Sequence, residues 1–206
     1  MKYVAMNLFL LCCLTGKLFS QVVTTYPLFP VANGPVTIFF DATQGNGALA
    51  NYNGDVFIHT GVITNLSISP SDWKHVVTTW GSTNATYKLT PLGNHKYSYY
   101  IPNITTFYSV PASETVLQLA MLFRNGDGSI VGRNADGSDI FADVWDGTSL
   151  QTKILKPDVS PLFVNLNDVV NTIVCSSKQS TISLYQNNNY ITQFSNTDSV
   201  NYNFTA

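Results

Sequence analysis

Charge is what this chain has least of. Only 11% of its 206 residues are charged, and Glu114 is the single glutamate. Long helices draw on Ala, Glu, Lys and Leu, so this shortage argues against extended helical structure. Arginine occurs twice, at Arg124 and Arg133, and Lys74, Lys88 and Lys96 are scattered. Nucleic-acid binding needs clustered positive charge to neutralise phosphates, so it is excluded as a function class. Cysteine occurs three times, as Cys12, Cys13 and Cys175. Catalytic and metal signatures are missing as well. There is no G-x-S-x-G elbow, no H-E-x-x-H and no C-x-x-C, and His59, His75 and His95 have no ligand spacing.

What the chain has instead is aromatic and turn-forming. Aromatics make up 13% of it, with 11 Tyr and 12 Phe, among abundant Asn, Thr and Ser. That mixture favours strands and turns. The expected fold class is all-β: an immunoglobulin-like or carbohydrate-binding-module β-sandwich followed by a partial second β module.

Residues 1–20 (MKYVAMNLFLLCCLTGKLFS) combine Lys2 with an apolar run from Val4 to Leu14. They read as a secretory signal peptide, too short for a membrane span, which places the protein outside the cell or on its surface. Cleavage is expected before Gln21, and a lipoprotein signal ending at Cys12 or Cys13 is the alternative. Removing the segment takes Lys2 and Lys17 from the ten basic residues, leaving eight against twelve acidic ones, a net charge of −4. Only Cys175 then remains, so no intrachain disulfide can form and stability must come from a hydrophobic core.

Residues 21–34, with Pro27 and Pro30, read as a leader or an edge-strand approach. The sandwich is expected over residues 35–146. Its strands are Val36 to Phe40, with both faces covered, then Asp55 to Thr60, Val76 to Trp80, Ala85 to Leu89 and Lys96 to Ile101. The apolar run Thr115 to Arg124 is read as a central buried strand, because Pro111 precedes it and Asn125-Gly126-Asp127-Gly128 follows. Asn125 to Ser138 reads as a hairpin and Ile140 to Val144 closes the domain. A single helical turn is expected at Ile104 to Tyr108. Residues 147–161 read as a linker. Residues 162–206 read as an incomplete immunoglobulin-like module of four short strands, Val169 to Cys175, Thr181 to Gln186, Tyr190 to Phe194 and Val200 to Phe204, with a hairpin turn at Asn187 to Asn189. The chain is expected to be the front of a longer protein or a truncated product.

No cofactor is expected. Asp127, Asp136, Asp139, Asp143 and Asp146 cluster near the closing hairpin, and calcium takes oxygen ligands from such loops. No complete calcium-loop motif is present, so Asp-Gly turn chemistry is the favoured reading and calcium the alternative. Sequons occur at Asn65, Asn84, Asn103 and Asn203.

The stretch Asp55 to Trp80 concentrates the chemistry. His59 lies opposite Val56 and Ile58, so it falls on the outer face, and Trp73 and Trp80 follow in the next loop. Sugar rings present C–H faces that stack on Trp, while their hydroxyls need planar polar partners such as His or Asn. His59, Trp73 and Trp80 supply both. The competing reading of either Trp is core packing.

DVFIHTGV, DWKHVVTTWG and YSVPASETVLQLAMLFRNGDGSIVGRNADGSDIFADV together resemble the N-terminal module of secreted Bacteroidetes-type α-amylases, a starch-binding-type sandwich ahead of a catalytic barrel. The resemblance covers roughly Pro35 to Val144. Residues 162–206 are similar to the short immunoglobulin-like module that follows it in such proteins. The resemblance implies α-glucan polysaccharide as partner, with His59 matching the histidine of a V-x-x-H-x-G strand and Trp73 the loop tryptophan. It adds Asn134 and Asp136 from the late loop Gly132 to Gly137, which carries no aromatic here. A C-terminal catalytic domain is implied for the parent protein and is absent from these residues. The alternative is a structural or interaction β-sandwich without sugar binding.

Overall fold

The computed structural model describes residues 21–157 and 162–206. The expected signal peptide, and residues 158–161 of the expected linker, lie outside them. The chain is 48% strand and 4% helix.

The first sheet holds β1 (Val23–Tyr26), β2 (Val36–Asp41), β5 (Lys96–Ile101) and β4 (Thr90–Gly93), in the order β1-β2-β5-β4. The second sheet pairs β3 (Phe57–Thr64) with β6 (Val116–Arg124). On the far edge of β6 lie first β7 (Val131–Gly132) and then β8 (Ile140–Asp143). All the pairings are antiparallel. One sheet of four strands and one built on β3-β6-β8 reproduce the A-B-E-D and C-F-G arrangement of an immunoglobulin-type sandwich. A parallel bridge between Val31 and Trp145 links the two edges.

The core lies between the sheets. Val36, Ile38 and Phe40 of β2 and Tyr99 and Ile101 of β5 face Ile58 and Val62 of β3 and Leu119, Met121 and Phe123 of β6. The rings of Phe40 and Phe123 stack with centroids 3.9 Å apart. Strand β2 is covered on one face only. Phe39 is exposed, because strict alternation turns it away from Ile38 and Phe40. Two polar groups sit inside this core without cost, since the Thr60 hydroxyl lies 2.6 Å from the Tyr108 hydroxyl and 2.8 Å from the Ala120 carbonyl. Burial pushes the Tyr108 phenol well above its ordinary pKa.

Several expected elements are placed as read. These are β5, the buried β6, and the helical turn, which is α1 (Ile104–Phe107), capped by the Asn103 side chain accepting from the Thr106 amide. Others differ. Strand β3 does not end at Thr60 but runs through Gly61 to Thr64, because Gly61, Val62 and Ile63 continue the ladder with β6. Residues 76–80 form no regular strand. His75 adopts φ 51° and breaks the extended run. Residues 85–87 form a 3-10 turn capped by Asn84 rather than a strand.

The C-terminal unit is one sheet of three strands in the order β11-β10-β9. The four short strands expected here merge into two long ones, β10 (Val169–Gln186) and β11 (Asn189–Thr205). Bulges between Cys175 and Ile182 let β10 continue across the polar Ser-Ser-Lys-Gln-Ser stretch. The turn between them is Asn187-Asn188, both with positive φ, as a two-residue hairpin loop requires. Residues 147–161, read as a linker, contain β9 (Thr152–Lys156), which pairs with Ile173 to Ser176 of β10. No helix among the described residues is long and apolar enough to cross a membrane.

Truncating Phe123 tests this core. Phe123→Ala removes a fully enclosed ring from both its stack and the inter-sheet layer. The expected loss is about 3–5 kcal/mol, read from urea unfolding followed by circular dichroism.

Candidate functional site

The face of β3 that turns away from the core carries Phe57, His59, Gly61 and Ile63. The register sets Arg124, Leu122 and Ala120 of β6 beside the first three of these, and Phe141 of β8 beside Ala120. Residues 65–89, between β3 and β4, fold back along this face. Lys74 and Val62 exchange two backbone hydrogen bonds, at 2.7 and 2.9 Å, and the Val77 amide donates to the Thr60 carbonyl. The approach is close because residue 61 has no side chain. A Cβ there would stand 2.8 Å from the Lys74 carbonyl oxygen and 2.9 Å from a Val76 methyl.

This fold-back delivers two tryptophans to His59. The His59 ring lies 5.9 Å from the Trp73 ring at 30° and 5.1 Å from the Trp80 ring at 85°. Trp73 is half-buried and meets Phe141 edge-on at 6.5 Å. Its indole Nε1 is enclosed and has no hydrogen-bond partner. Trp80 is 45% exposed and closes over the turn at Gly128, where a Cβ would come within 2.6 Å of its Nε1.

One hydrogen bond orients the His59 ring. Its Nδ1 lies 2.6 Å from Thr78 Oγ1, which also accepts from the Thr60 amide. The Thr78 hydroxyl keeps a proton and a second lone pair, so it pairs with either tautomer of the ring. Burial, reinforced by the Arg124 guanidinium and opposed by Asp139, lowers the His59 pKa from its ordinary 6.5. The lowered pKa favours the neutral ring, which presents its polar Nε2 edge between two tryptophans.

Arg124 is the residue that sequence reasoning missed. Its side chain is almost wholly enclosed. The guanidinium lies 5.5 Å from the Phe57 ring centre and 5.8 Å from that of Trp80. Nη1 donates to the carbonyls of Asn125 and Gly126, and Nη2 to those of Ser82 and Thr79. It therefore ties the turn after β6 to the loop that carries Trp80. Phe141 was missed as well. The outward alternation of Phe57, His59 and the last residue of the apolar run was the available signal for Arg124.

Asn134 and Asp136 serve their own turn. Asn134 Nδ2 donates to Ser138 Oγ and to the Asp139 carbonyl, and Asp136 Oδ1 accepts from the Ser138 amide at 2.9 Å. The Ser138 hydroxyl and amide hold the Asp136 carboxyl below its usual pKa. Asn134 lines the same groove as Phe141. No hydrogen bond or ring contact joins either residue to the His59 group among the described residues. Asp127 and Asp146 are likewise engaged with Ser129 and with Thr148 and Ser149. Among the described residues, no three His, Cys, Asp or Glu side chains stand together as a metal would need.

Fold and site together define an immunoglobulin-type β-sandwich with an aromatic and histidine shelf on the sheet of β3 and β6. No family model matches the chain, and no curated protein matches it.

Two measurements probe the shelf. Gly61→Ala pushes the Lys74–Val76 segment off β3, at an expected cost of about 1–3 kcal/mol, with a change in tryptophan emission. The His59 imidazole should titrate in NMR with a midpoint below the ordinary value. Its neutral form is favoured by folding, so its contribution to stability is complete above the unfolded pKa of about 6.5. That contribution is lost as pH falls through the folded value, and His59→Gln should flatten the acid side of the stability profile.

Proposed function

We propose that this chain is a secreted, non-catalytic α-glucan-binding module, the N-terminal part of an α-amylase-type glycoside hydrolase. The observation that carries the reading is the placement of His59 between Trp73 and Trp80, with Trp80 open to solvent. A sugar ring stacked on Trp80 brings its hydroxyls, which both donate and accept, to the His59 imidazole. The rings are mutually inclined, at 30° and 85° to His59, and a bent shelf suits a helical glucan better than a flat ribbon. Such a module raises the local concentration of substrate for a tethered catalytic domain. Residues Asn134 and Asp136 contribute, on this reading, through the shape of the neighbouring turn.

A second reading, a structural sandwich that docks on another domain, draws on the half-buried Trp73 with its enclosed indole nitrogen. Affinity electrophoresis in gels with and without amylopectin separates the two. The glucan reading expects retardation that weakens about tenfold or more in Trp73→Ala and in Trp80→Ala, with both variants folded. A folded chain that runs identically in both gels would leave the docking reading standing.

A further inference from the structure

We infer that the glucan track does not end at Trp73 but continues along β8 into a second subsite at Trp145 and Phe29. This inference rests on the glucan reading above and extends it. Phe141, Asp143 and Trp145 are alternate residues of one extended segment, with Val144 buried between the last two. They therefore project on the side that carries the shelf. The backbone stays extended past the end of β8, because the Trp145 amide donates to the Pro30 carbonyl at 2.7 Å within the bridge to Val31. Phe141 already touches Trp73, so the shelf and this row are continuous. Four residues of strand add about 13 Å to it, more than the width of a single sugar ring.

Two grooves lie along this row. One, of about 340 Å³, runs past Phe141 and Asn134, and the next, of about 370 Å³, runs past Phe29 and Trp145. Leu28, Asp143 and Lys153 line both, so they form one trough. Its chemistry is that of a neutral, hydroxyl-rich ligand. Aromatic rings stand at Phe141, Phe29 and Trp145, and among them lie two carboxylates, Asp143 and Asp146, and one ammonium, Lys153. Lys153 sits over the Phe29 ring at 5.9 Å, where it can also donate to a hydroxyl. The trough carries charges of both signs rather than the single positive sign that an acidic polymer would require, and its row of aromatic rings continues that of the shelf. The occupant is the continuing α-glucan chain itself.

The test compares ligand lengths on the purified chain by calorimetry, with maltotriose and maltoheptaose. The longer ligand should bind about tenfold tighter, the gain expected of one added stacking subsite. Trp145→Ala and Phe29→Ala should each abolish that gain and leave maltotriose affinity within about twofold. Trp73→Ala should weaken both ligands together. Equal affinity for the two lengths, or a gain that survives in both folded variants, overturns the second subsite while the shelf stands. Failure of both ligands to bind overturns the glucan reading and the track with it.

Discussion

The pairing of β3 with β6 is the constraint on which the rest of the structure depends. Over Phe57 to Thr64 it gives the chain two surfaces at once. Ile58 and Val62 enter the core beside Phe123 and Leu119, while Phe57 and His59 turn outward beside Arg124 and Leu122. The side-chain period of a strand is two, so a slip of one residue would drive His59 into the core and Ile58 into solvent. The core thereby fixes the position of the site. Thr60 strengthens the link, since its hydroxyl is engaged inside the core while its amide reaches Thr78, the residue that orients His59. Packing and site geometry meet in one residue.

Arg124 shows how a buried cation is accommodated without a carboxylate. Among the described residues no salt bridge compensates it, and Asp127 acts only at a distance. Four backbone carbonyls and two aromatic faces take its place. Hydrogen bonds to a charged group contribute about 1.5–3 kcal/mol each, and they offset a desolvation cost of several kcal/mol. The gain is organisational. The carbonyls belong to two loops outside the strands, and the guanidinium joins them to one another. Nε remains without a partner, so the arrangement satisfies the loops more completely than it satisfies the arginine.

How much of this was legible in the sequence follows from the range of the interactions. The buried β6 and the alternating β5 are local patterns, and both are where the periodicity puts them. His59, Trp73 and Trp80 lie within a short stretch, and the chain brings them together as their spacing suggests. The end of β3 was misplaced because Gly61 reads as a breaker. Its true role is to admit the Lys74 carbonyl, and that neighbour cannot be read from the flanking residues. The apolar run Val36 to Phe40 points to cover on both faces, and a run of this kind does not reveal that only one is covered, which leaves Phe39 exposed. Phe141 reaches the shelf through sheet pairing across the fold, where no local pattern announces it, and Arg124 is signalled only by its place at the end of the apolar run. In the C-terminal unit, Ser176 to Ser180 looked like a break between strands. Bulges absorb the irregularity and the pairing resumes.

The strand at Thr152–Lys156 changes the meaning of the segment between the two units. A linker would leave the sandwich and the C-terminal sheet independent. Instead β9 belongs to the second sheet while its Lys153 lies over Phe29 near the edge of the first. Lys178 of β10 reaches the Trp145 ring and the Thr148 carbonyl, and the Gln151 amide donates to Ser177 Oγ. These contacts are polar and cation–π rather than apolar, so they orient two surfaces without fusing their cores. The trough along β8 has one wall from each unit, Leu28 and Asp143 from the sandwich and Lys153 and Leu155 from β9. The C-terminal sheet therefore does more than extend the chain. It adds Lys153 and Leu155 to a groove that Val22 to Thr25 and Leu28 already line beside Phe141.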